Sequence, residues 1–195
     1  MADKGNTPAR ARTGPTREGS SWEWVFAPRA TGEKRFWLVK SEPDVFSFDD
    51  LLARPDRTTF WDGVRNYTAR TFMRDGMKLG DEVFFYHSNA DPPAIIGVCE
   101  VVREGYPDHT ALDNADPHFD PDSDPADPKW FMVDLRAVRA LSRPLPLPEL
   151  RANKALAGMA LLRIGRLSVS PVRPVEWEEI LRMANRSGQG STKRQ

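Results

Sequence analysis

The chain has 195 residues, 39% of them hydrophobic and 29% charged, which supplies one buried core and excludes a chain disordered throughout. Its 28 basic and 28 acidic residues cancel, but residues 108–127 hold seven aspartates and no lysine or arginine, so the remainder is basic by seven and can carry a local positive surface. No apolar run approaches the roughly 20 residues that cross a bilayer, which excludes a helical membrane span. The N-terminal residues also lack the apolar stretch and small-residue cleavage site of a secretory signal, so the expected address is cytoplasmic, or nuclear in a eukaryotic host.

Residues 1–35 are rich in Gly, Pro, Thr, Arg and Ser without a sustained hydrophobic period, and read as a flexible tail. Within it, Trp22-Glu23-Trp24-Val25-Phe26 alternates as a strand would, and offers a segment for a sheet edge or a protein partner. Residues 36–185 form the expected folded domain, and residues 186–195 a loose basic tail.

The domain opens with a predicted strand, Phe36-Trp37-Leu38-Val39-Lys40-Ser41, closed by Glu42-Pro43-Asp44. Ser47 is placed to cap a short helix through Leu51-Leu52 that Pro55 ends. Residues 58–61 are extended, and Asn66 is a cap for a helix over 67–77. Strands follow over 82–87 and 94–103, then the acidic, proline-dotted loop 107–128, then a half-exposed strand over 130–138. Short helices over 147–153 and 155–159, a strand over 166–170 and a helix starting at Pro174 complete the chain. Strands of unequal length without a regular βαβ rhythm predict a mixed α/β (α+β) fold, a curved or barrel-like sheet capped by short helices.

Cys99 is the only cysteine, so no intramolecular disulfide and no two-thiolate metal site can form. Its place in the alternation Ile95, Gly97, Cys99, Val101 predicts a buried strand residue. Asp120-Pro121-Asp122-Ser123-Asp124 mimics the opening of a calcium loop. However, Pro125 stands where the sharp turn needs glycine, and Phe131 stands where the closing glutamate belongs. No metal or other cofactor is expected.

Four words occur in order: Trp37-Leu38-Val39-Lys40-Ser41-Glu42-Pro43, Trp61-Asp62-Gly63-Val64-Arg65-Asn66-Tyr67, Phe85-Tyr86-His87-Ser88-Asn89 and Pro128-Lys129-Trp130, with Tyr106-Pro107-Asp108-His109-Thr110 between the last two. Together they resemble the EVE domain of the thymocyte nuclear protein family, a PUA-like fold related to the YTH readers of methylated adenine. The resemblance spans residues 36–183. It implies a PUA-like pseudo-barrel that binds DNA or RNA containing a modified base, notably methylated or hydroxymethylated cytosine, without catalysis.

The residue chemistry of these words fits that implication. A flipped base needs flat surfaces to stack on, hydrogen-bonding groups at its edge and cations for its phosphates. Trp61 and Trp130, with Tyr67 and Tyr86 behind them, are candidates for stacking. Ser41, Ser88 and Asn66 can pair with a base edge, although Asn66 competes with its own helix cap. Lys40 and Arg65, and less specifically Arg70, suit phosphates. His87 can shape the pocket, and Asp108 completes the candidate binding set. Two other readings stay open. One is a hydrolase using His87 or His109 with Ser88 and Asp108, for which no nucleophile elbow, phosphate-cradling loop or His-Glu-x-x-His exists. The other is a small-molecule or peptide-binding module.

Overall fold

A computed structural model describes residues 22–186; of the expected tails 1–35 and 186–195, residues 1–21 and 187–195 lie outside the described residues. Six strands, β1 (Phe36–Ser41), β2 (Thr58–Trp61), β3 (Glu82–His87), β4 (Ala94–Pro107), β5 (Phe131–Pro146) and β6 (Val169–Val172), form one open sheet in the order β2-β5-β4-β3-β1-β6. Only β1 and β3 run parallel among the paired strands. Five short helices flank it: α1 (Phe48–Ala53), α2 (Tyr67–Thr71), α3 (Leu147–Ala152), α4 (Ala160–Arg163) and α5 (Pro174–Asn185). The fold is mixed α/β, as the pattern predicts.

Central β3 is apolar on both faces because both faces are covered. Val83 and Phe85 join Trp37, Val39 and α1 in one core, while Phe84 and Tyr86 join Leu38 and α5 in the other. Gly97 is required where α1 crosses the sheet, since a Cβ there would meet the Phe48 ring at 2.3 Å. Cys99 is fully buried as expected, and burial pushes its thiol pKa up. Register shifts along β3–β4 and β4–β5 mark bulges that bend the sheet. The curl is large enough to bring β1 and β2, three strands apart in the sheet, to one cleft.

Several boundaries move for identifiable reasons. The predicted helix over 67–77 stays α-helical only to Thr71 and then widens into a π turn, Phe72–Gly76, where the Trp37 ring takes the space a Cβ at Gly76 would need. β4 and β5 run on to Pro107 and Pro146 because the bulges absorb their misfit. The expected helix over 155–159 is a single 3-10 turn, Lys154–Leu156, capped by Asn153, with α4 following it. The last strand sits later than predicted, because antiparallel pairing with β1 sets Val169 opposite Val39 and Val172 opposite Phe36. Its Pro171 is tolerated on a sheet edge.

Residues 22–35, expected to belong to a loose tail, pack on the domain. Val25 is buried, Trp22 meets Phe72 edge-on with centroids 5.6 Å apart, and Arg29 Nη2 donates to Asp81 Oδ2 at 2.8 Å. Asp81 is the anchor: its fully buried carboxylate also accepts from Arg35 N–H, Trp37 Nε1–H and Lys78 N–H. The Trp22–Phe26 stretch, expected to alternate as a strand, instead forms a 3-10 turn over Glu23–Val25 that docks on the core through Val25 and leaves Phe26 exposed.

Candidate nucleic-acid interface

An open cleft of about 720 Å³ lies between the end of β1, strand β2 and the acidic loop, within the range of small-ligand sites. Four sequence candidates line it: Lys40, Ser41, Trp61 and Arg65. Alternation along β2 turns Thr59 and Trp61 inward and leaves Phe60 43% exposed. Trp61 meets Phe85 nearly perpendicular, with centroids 5.4 Å apart. Lys40 Nζ donates to the Gly165 carbonyl at 3.0 Å, and burial lowers its pKa. Ser41 Oγ donates to the Phe46 carbonyl at 2.6 Å.

The word from Trp61 to Arg65 is held against the acidic loop. Gly63 has φ +69°, a conformation favouring glycine, and a Cβ there would meet the His118 ring at 2.7 Å. Its N–H donates to Asp108 Oδ2 at 3.1 Å. Arg65 donates to the same carboxylate at 2.7 Å and to the His118 carbonyl at 2.9 Å. Asp108 also caps the turn that follows it, accepting from Thr110 N–H and Oγ–H at 2.9 and 2.6 Å. Burial pushes the Asp108 carboxyl up, but the hydrogen bonds from Thr110 and Arg65 outweigh it, and its pKa is lowered. Asp62, which lines the cleft, has its pKa raised by burial and by the charge of Asp108 behind it.

Asp62, Asp116 and His118 bring ligand-type atoms within 4.8 Å of one another. Asp116 Oδ1 already accepts from His118 N–H at 2.8 Å, with His118 Nδ1 at 3.2 Å, so the loop's own turn accounts for the grouping.

The remaining candidates do not line the cleft. Since Phe85 points under Trp61, alternation sends Tyr86 to the opposite core, where it is 3% exposed. His87 Nε2 accepts from Phe48 N–H at 3.1 Å, and burial lowers its pKa. Ser88 donates through N–H and Oγ–H to the Ser41 carbonyl. His87 and Ser88 thus serve as scaffold rather than as a base and nucleophile pair. Asn66 Oδ1 accepts from Thr68 N–H and Ala69 N–H, capping α2. Tyr67 and Trp130 stack on each other with centroids 5.1 Å apart, and Trp130 Nε1 donates to Asp120. Arg65 lies between the cleft and this pair, 5.4 Å from the Trp130 ring. Asp108 acts from behind the cleft through Gly63 and Arg65. Sequence reasoning missed Phe46, Arg54, Phe60, His118 and Ser168 as lining residues, and named His109 only for the hydrolase reading. Phe60 alone was signalled, by its place between two inward positions of β2.

Residues 35–183 match the model of the EVE domain. Mouse thymocyte nuclear protein 1 is 45% identical over 183 residues, covering 84% of this chain and 80% of the relative. The crystal structure of human THYN1 protein in complex with 5-methylcytosine containing DNA is 43% identical, with a TM-score of 0.76 over 79% of this chain and 99% of that one. A hypothetical protein from Leishmania major is 47% identical, with a TM-score of 0.74 over 78% of this chain and 95% of its own.

Proposed function

The chain belongs to the EVE domain family, and on that premise we propose that it is a non-catalytic reader of DNA carrying a modified base, methylated or hydroxymethylated cytosine above all. The base is drawn out of its stack into the cleft over Trp61, with Lys40, Ser41 and Arg65 around it. The observation that carries this reading is the cleft itself: the Trp61 indole with Lys40 and Arg65, all in the words by which the chain resembles the family, and Arg54 as a third cation. The DNA complex of the THYN1 relative supports the choice of ligand. In a eukaryotic host, the relatives named nuclear proteins support a nuclear address.

Each group has a matching task. Aromatic stacking contributes on the order of 1–3 kcal/mol per base. Asp62, whose pKa is raised by burial and then by Asp108, offers a carboxylate to the exocyclic amine of cytosine, the donor that distinguishes this base. Arg65 is preorganised by Asp108 and the His118 carbonyl, which lowers the ordering cost of a phosphate contact.

The test is a binding panel of DNA duplexes and matched RNA strands that differ only in one cytosine modification, at two salt concentrations. A preference for a modified strand, with affinity falling as salt rises, is the expected result. Equal binding of all strands would return the cleft to a small-molecule or peptide role. Ser168→Trp, which adds an indole at a residue lining the cleft, is expected to remove the preference.

A further inference from the structure

A second groove of about 380 Å³ lies on the other side of Phe60, and Arg54, Thr59, Phe60 and His109 line both cavities. The two cavities are therefore neighbours, with Phe60 in the lining of both. Phe60 is 43% exposed, although Thr59 and Trp61 on either side of it are buried. Its ring is held against His109 nearly perpendicular, with centroids 5.2 Å apart. Phe60 belongs to neither core cluster, and its ring lines both cavities.

The charges around the groove point to a polyanion. Arg54 and Arg103 line it, and among the described residues neither takes part in an ion pair. Arg103 lies over the Tyr106 ring at 3.5 Å. The groove's carboxylate, Asp134, accepts from the Tyr106 hydroxyl, and Arg54 lies over the Phe46 ring at 5.4 Å, so two guanidinium groups outnumber one carboxylate in the lining.

We propose that Phe60 is the wedge that fills the place in a DNA duplex left by the base drawn into the cleft, and that the second groove receives the adjoining nucleotide with Arg54 and Arg103 on its phosphates. Apolar side chains inserted at a base step offset the unstacking cost of a distorted duplex, and Phe60, exposed and in the lining of both the cleft and the neighbouring groove, is the apolar ring available for it. This inference rests on the reading of the cleft as a modified-base site.

The experiment compares wild type, Phe60→Ala and Phe60→Leu on one 5-methylcytosine strand, presented as a duplex and as a single strand, with unmodified controls. Because Phe60 is outside the core, the variants are expected to melt with wild type. Phe60→Ala should bind the duplex about tenfold more weakly, the scale of one stacking contact, and the single strand less than about twofold more weakly, because a single strand leaves no gap to fill. Phe60→Leu should fall between them. Arg103→Ala should lower the slope of log affinity against log salt by about one. An equal loss on both substrates, or none on the duplex, overturns the wedge while wild-type preference for the methylated strand leaves the cleft reading intact. Absence of that preference in wild type removes the cleft reading, and the wedge with it.

Discussion

Arg65 donates to Asp108 across 2.7 Å, and the same arginine donates to the His118 carbonyl, so one guanidinium ties the cleft wall to both ends of the loop segment that faces it. The Asp108 side chain is fully buried while Arg65 is 23% exposed. The joint therefore couples the fold of the loop to the position of a cation at the cleft.

Asp108→Asn replaces two acceptor oxygens with one and turns an amide donor toward Arg65 or Gly63. The expected cost is about 2 kcal/mol by denaturant unfolding, less than for a fully buried pair because Arg65 is partly solvated. The sign with pH follows from the lowered pKa of Asp108. The stabilisation it supplies is present above its ordinary value near 3.8, and is lost as pH falls below that value through the folded one. Wild type should lose its advantage over the variant only in that acid window.

Trp61→Ala removes an indole that is 8% exposed and packed on Phe85. The expected cost is about 3 kcal/mol, so it tests folding and binding together. Trp61→Phe keeps a ring against Phe85, and should hold the fold while binding modified DNA several-fold more weakly. Full affinity in a folded Trp61→Phe would remove the indole from the contact.

Asn66→Ala should cost about 1 kcal/mol through loss of the α2 cap, whereas Asn66→Asp keeps the acceptor and should melt near wild type. Matched binding by the two variants, after correction for folding, is expected of a residue outside the cleft.

Docking of residues 22–35 predicts that a chain starting at residue 36 is less stable than one starting at residue 22. It loses Val25 from the core, and the Asp81 carboxylate loses Arg29, a buried charge left without its cation. A loss of about 3 kcal/mol is the expected scale, and equal melting of the two chains would show the segment to be energetically idle.

Local signals were legible where local physics decides. The Ser47 and Asn66 caps, strands β1 to β3 and buried Cys99 follow from side-chain chemistry and alternation within a few residues. The packing of Trp22 and Val25 was not, because Asp81, which holds that segment through Arg29 and Arg35, lies 46 to 52 residues away in sequence. The candidate site divides the same way. Lys40, Ser41, Trp61 and Arg65 stand in two words whose ends meet when the sheet curls. Tyr86 stands in an equally telling word, but the face it takes is fixed by Phe85 meeting Trp61. His118 reaches the cleft only because Gly63 leaves room for its ring.

Placement of the modified base can be measured by photocrosslinking. A duplex carrying 5-iodocytosine at the read position, with iodine in place of the methyl group, is irradiated in complex with the protein and the tryptic peptides are mapped. Attachment to residues 58–65, which hold Phe60 and Trp61, or to residues 41–57, which hold Phe46, is the expected result. Attachment confined to the peptide containing Tyr86, or to the surface of α5, would contradict a base seated over Trp61.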